Sequence, residues 1–75
     1  MEKKKVDIVI LGNLICEQKL TGGGNLYPCI REELESFFDI SEACIIEGDV
    51  CVNSFNAANK CIVVCGSIAS KGGEL

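Results

Sequence analysis

Strand-length apolar runs that lack a polar face constrain this chain more than any other feature. Residues 6–11, 14–20, 43–47, 50–55 and 60–65 read as β-type runs. A half-solvated antiparallel sheet alternates apolar with polar side chains along each strand, and these runs do not. In the first two, Val9, Leu11, Leu14 and Cys16 fall on one side and Val6, Ile8, Ile10 and Ile15 on the other. Both sides must be covered by something.

The breaks between the runs suggest how they connect. Gly12-Asn13 and Gly48-Asp49 have the composition of a two-residue type II′ turn, and the polar stretch 56–59 reads as a further reversal. These predict a hairpin over residues 6–20 and a three-strand antiparallel meander over 43–65. Between them lie Gly22, Gly23 and Gly24, then Pro28 at a first-turn position, with Ile30, Leu34, Phe37 and Phe38 at i, i+4, i+7 and i+8. That spacing predicts an amphipathic helix over 28–38. The expected fold class is α+β, a small single domain over 1–75 in the order ββαβββ, with a tail that frays over about 67–75. The two hairpins share an apolar strand, a Gly-polar turn and a following cysteine; the helix has no counterpart, which argues against internal duplication.

The registers implied by these turns place Cys44, Ile46, Cys51, Phe55, Ile62 and Val64 on one meander face. Ile45, Val50, Val52, Cys61, Val63 and Cys65 fall on the other. One short helix covers one face, which leaves the second to the first hairpin or to another copy of the chain. Ile45, Val50, Val52 and Val63 are therefore the expected interaction surface of a homo-oligomer, most simply a dimer.

Charge narrows the partners. With 7 basic and 11 acidic side chains among 75 residues, the net charge is −4, and beyond Lys19 only Arg31, Lys60 and Lys71 are basic. No stripe exists to neutralise several phosphates, so direct nucleic-acid binding is not expected. Glu32, Glu33, Glu35, Asp39 and Glu42 instead offer a hydrated acidic face to a basic protein partner. The start of the chain imitates an export signal, three lysines before an apolar run, but Asp7 and Asn13 interrupt that run and Ile15 precedes Cys16 where processing favours a small residue. No apolar stretch approaches 18 residues, so the expectation is a cytoplasmic protein, off the membrane, with reduced thiols.

The chain has six cysteines and no histidine. Catalytic Ser-His and Cys-His pairs are thereby excluded, as are histidine-containing zinc sites. There is no CxxC, and residues four apart on a strand sit about 13 Å from each other, so neither a metal nor another cofactor is expected. Cys29, after Pro28 at the expected helix start, is the candidate reactive thiol, because free N–H groups there favour the thiolate. Glu32 and Glu33 oppose it. The glycine loop before it lacks the spacing of a phosphate-binding motif and reads as a connection.

These features together point to a non-enzymatic cytoplasmic interaction or regulatory module that self-associates and binds or inhibits a macromolecular partner. Two alternatives stand beside it: a thiol-dependent redox or metal-binding protein centred on Cys29, and a small-ligand-binding oligomer with sites between subunits.

Overall fold

The computed structural model describes residues 3–72. Its strands are β1 (Lys4–Lys5), β2 (Ile8–Ile10), β3 (Leu14–Thr21), β4 (Leu26–Pro28), β5 (Phe38–Asp39), β6 (Cys44–Ile46), β7 (Val50–Asn56), β8 (Ile62–Val64) and β9 (Ile68–Ser70). Every strand pair among them is parallel, in three sheets ordered β4-β8-β2-β6, β7-β3-β9 and β1-β5. The antiparallel hairpin and meander, and with them the ββαβββ α+β arrangement, are therefore corrected.

The reason lies at the glycines. A II′ turn would fold β2 back onto β3, whereas here the chain passes a corner at Gly12-Asn13 and enters a second sheet. A corner recurs at the matching positions Gly48-Asp49 and Gly66-Ser67, with Gly48 alone of the three glycines at positive φ (115°), and strands before and after each corner align: Ile10 opposes both Ile46 and Val64, and Leu14 opposes both Val50 and Ile68. Three coils result, β2–β3, β6–β7 and β8–β9, stacked with the first in the middle. Ile68–Ser70, expected in the fraying tail, forms the outer strand of the third coil, and residues 73–75 of that tail lie outside the described residues.

Side chains cross-link the corners. Ser67 N–H donates to Asn13 Oδ1 (2.7 Å), and Asn13 N–H donates to Asp49 Oδ1 (2.9 Å). The backbones stack so closely that a Cβ at Gly12 would lie 2.5 Å from the Gly48 carbonyl, and one at Gly66 would lie 2.5 Å from Gly12 O. Glycine is required here by close approach. Gly12→Val is accordingly expected to force the coils apart at a cost of about 2 kcal/mol or more, lowering Tm by roughly 10 °C. Gly24→Ala, where a Cβ meets nothing within 4 Å, should stay within about 0.5 kcal/mol of wild type. Thermal unfolding followed by circular dichroism compares the two.

The two larger sheets face each other across a core of Ile10, Leu14, Cys16, Leu20, Leu26, Ala57, Ile62 and Val64. The other face of the four-stranded sheet packs Val6, Val9 and Val63 against Leu34, with Tyr27, Phe38 and Ile40 around them. Both apolar faces are thus covered within one chain, one by a second sheet and one by the segment that follows β4. Strands buried on both faces are what parallel sheets carry.

The expected helix over 28–38 is also corrected. Pro28 ends β4, Cys29 and Ile30 continue extended, a 3-10 turn spans Arg31–Glu33, and the α-helix α1 covers only Leu34–Phe37 before Phe38 enters β5. No side chain caps either helical piece. Of the apolar stripe only Leu34 is buried, while Ile30 and Phe37 stand about 60% exposed (60% and 59%). Tertiary pairing of β4 with β8 and of β5 with β1 overrides the local periodicity.

Asp7, which interrupts the first apolar run, has a structural task. Its carboxylate accepts Cys61 N–H (2.9 Å) and its carbonyl accepts Cys44 N–H (2.9 Å), so it ties the lower ends of three strands together. Lys4 lies over the Tyr27 ring (5.5 Å), whose centroid is 6.0 Å from that of Phe38, fastening the chain start to the covering segment. No helix among the described residues is long and apolar enough to cross a membrane.

Candidate functional site: an open coil edge

The stacking order leaves the second coil at one end. β6 is the last strand of its sheet and β7 the last of the other, so both present unpaired backbone at the same end of the molecule. Within β7, Val50 N–H donates to Asn13 O (2.8 Å). Backbone groups alternate in direction along a strand, so those of Cys51 point away from β3. A Cβ at Gly48 would meet nothing within 4 Å, and the ladder of corner hydrogen bonds stops at Asp49. Among the described residues this end carries the corresponding corner with no coil upon it, its Gly48 at a positive φ (115°) that Gly12 and Gly66 do not share.

The opposite end is different. There the outer strands are β4 and β9. Cys29 N–H donates inward to Val64 O (3.2 Å), so Pro28, one residue earlier, faces outward and has no N–H to offer. A proline at the outward position of an edge strand blocks strand addition. Lys71, ion-paired with Glu17 (3.1 Å), stands beside β9.

The expected interaction residues divide accordingly. Ile45 lies on β6, 47% exposed, while Val50 and Val52 on β7 are half-buried and turn toward the core between the sheets. Val63 is fully buried on β8, between β4 and β2, and packs against Val6, Val9 and Leu34. The four residues do not form one face. Three of them nonetheless belong to the open coil, and its backbone edge, which side-chain reasoning missed, is what they share.

Beside that edge runs a groove of about 440 Å³, floored by Leu11, Leu34, Ile40 and Ile45 and rimmed by Glu32, Glu35 and Glu47. Arg31 reaches Glu47 across it at 3.9 Å, both ends well exposed, so the pair adds little stability.

The thiols are all free. Cys16 is buried and donates to Lys19 O (3.0 Å) and Asn53 O (3.4 Å), filling the irregularity where the β3–β7 register shifts. Cys44 and Cys51 are exposed, on different sheets. Cys29 is half-buried, and the helix start invoked for its reactivity is absent at its position: an extended Ile30 separates it from the 3-10 turn. Burial pushes the Cys61 and Cys65 thiols up from their ordinary range, and the neighbouring Cys29 raises Cys65 further. Among the described residues no three His, Cys, Asp or Glu side chains are grouped to hold a metal ion.

No protein-family model matches the chain, and neither a curated protein nor a solved structure gives a significant match to it.

Proposed function

We propose that this protein is a non-enzymatic interaction module of the cytoplasm that works by self-association through the open β6–β7 edge. The observation that carries this reading is the asymmetry of the two coil ends: unpaired strands with room above Gly48 at one end, and Pro28 facing outward at the other. Unpaired edges recruit strands, and natural proteins protect those they do not use. Head-to-tail stacking would propagate as an open filament, but Pro28 opposes it. The edge is left to meet its own copy about a two-fold axis, β7 against β7 and β6 against β6, which closes at two chains. Joining two coil ends in this way leaves the acid-rimmed groove beside Ile45 on the outside, where it suits a basic segment of a macromolecular partner.

Sedimentation velocity over a concentration series tests the reading. The expected result is a monomer–dimer equilibrium that reaches a plateau at twice the chain mass. A mass that stays at one chain into the high micromolar range, or one that grows without limit, would overturn it.

A further inference from the structure

We propose that Cys29 and Cys65 form an oxidisable thiol pair, which a low-molecular-weight disulfide of the glutathione class converts to an intrachain disulfide between β4 and β8. Leu26, Tyr27 and Pro28 oppose Ile62, Val63 and Val64 in parallel register, and extending that register by one residue sets Cys29 opposite Cys65, just past the end of both strands. The bond from Cys29 N–H to Val64 O (3.2 Å) closes the last pair of this ladder, Pro28 with Val64, and Cys65 N–H donates to Ile10 O (2.9 Å), so both backbones are held in the sheet up to the two cysteines. Adjacent strands lie about 4.8 Å apart, inside the Cα separation that a disulfide spans. The faces agree as well. Along β4 and β8, Tyr27 and Val63 point to the outer core, and both Cys29 and Cys65 pack against that same cluster. Neither thiol is fully buried, so a small disulfide can reach the pair.

The geometry discriminates against the other thiols. Cys61 packs on the same cluster but lies four residues before Cys65 along the extended strand, about 13 Å from the pair. Cys44 and Cys51 belong to the far end of the stack.

In the reaction, the Cys29 thiolate attacks one sulfur of oxidised glutathione, forms a mixed disulfide and releases one glutathione thiolate. The Cys65 thiolate then attacks the Cys29 sulfur, the Sγ–Sγ bond forms, and a second glutathione thiolate leaves. The two protons lost by the cysteines are taken up by the two departing thiolates, so two protein thiols are oxidised and one glutathione disulfide is reduced. The bridge joins the strand that follows the glycine loop to the one inserted beside it late in the sequence, which closes a loop of about 36 residues and holds β8 in place.

The test treats the reduced full-length chain with oxidised glutathione at mildly alkaline pH and maps the tryptic peptides 20–31 and 61–71 by fragmentation mass spectrometry. The expected result is a loss of two titratable thiols, a Cys29–Cys65 bridge, and a Tm raised by on the order of 10 °C. Cys65→Ser should stop at a glutathione adduct on Cys29, and Cys29→Ser should abolish the intrachain bridge. A Cys29–Cys61 bridge, persistent separate adducts on Cys29 and Cys65, intermolecular Cys44 or Cys51 disulfides in its place, or an oxidised form no more stable than the reduced one would each overturn the proposal. The outcome is independent of the coil-edge reading, because both sulfurs lie at the opposite end of the stack.

Discussion

Val63→Asp is expected to leave the chain unfolded at 25 °C. Val63 has no exposed surface and sits on β8, whose three residues are all buried because the strand is inserted between β4 and β2 with a core on each face. Removing the isopropyl group forfeits about 2 kcal/mol of burial, and a carboxyl left among Val6, Val9 and Leu34 with no partner costs several kcal/mol more. A domain of this size has on the order of 4–10 kcal/mol to lose. Ile45→Asp, one strand beyond Val9 in the same sheet but about half exposed, should fold and unfold cooperatively with a change of about 1 kcal/mol or less. Loss of the cooperative thermal transition in the first variant and its retention in the second is the expected pair of results. A folded Val63→Asp protein would show that β8 does not occupy the centre of the sheet.

Cys51→Pro is expected to abolish self-association while leaving the monomer folded. The backbone of Cys51 points away from β3, so a proline there removes no internal hydrogen bond, and its neighbour Val50 is already in a strand conformation, as a residue before proline requires. The side chain is exposed and its loss opens no cavity. At the open edge, however, the missing N–H and the added ring meet the incoming strand directly, as Pro28 does at the other end. Association should weaken by at least tenfold, from the loss of one or two backbone hydrogen bonds and from the clash. Cys51→Ser, which keeps the N–H, should associate like wild type. Comparison of the two by sedimentation checks the effect.

Much of the strand placement was legible in the sequence, and the partnering was not. β2, β3, β6, β7 and β8 fall within or almost within the apolar runs read from residues 6–65. Period-two alternation marks a strand but carries no information about the direction of its neighbour, and a glycine followed by a polar residue suits a sheet corner as well as a hairpin. Two signals pointed the right way. Runs that are apolar on both faces belong to parallel sheets more often than to meanders, and the pattern of an aliphatic residue, any residue, Gly, a small polar residue and an aliphatic residue occurs three times, at Ile10–Leu14, Ile46–Val50 and Val64–Ile68. The third copy runs from the end of the last apolar run into the expected tail, where no strand is predicted to follow Gly66-Ser67, and this hides the repeat.

The helical misreading has a similar origin. Ile30, Leu34, Phe37 and Phe38 do keep helical spacing, but the segment has only one turn of α-helix because its task is to lay Leu34 and Phe38 over the sheet, and β5 must pair with β1 at once. Ile45, Val50 and Val52 lie on the open coil, but hydropathy could not point to its backbone edge. Hydropathy reports side chains, whereas the open feature of this coil is its backbone.

Residue-resolved amide hydrogen exchange at two protein concentrations tests the open edge most directly. At low micromolar concentration the outward amide of Cys51 should exchange as an exposed group, while that of Val50, bonded to Asn13 O, is protected. At high concentration the Cys51 amide should slow by at least tenfold, and the amides of β4 and β9 should keep their rates. A Cys51 amide that exchanges equally fast at both concentrations, or slowing confined to the Pro28 end, would contradict the account.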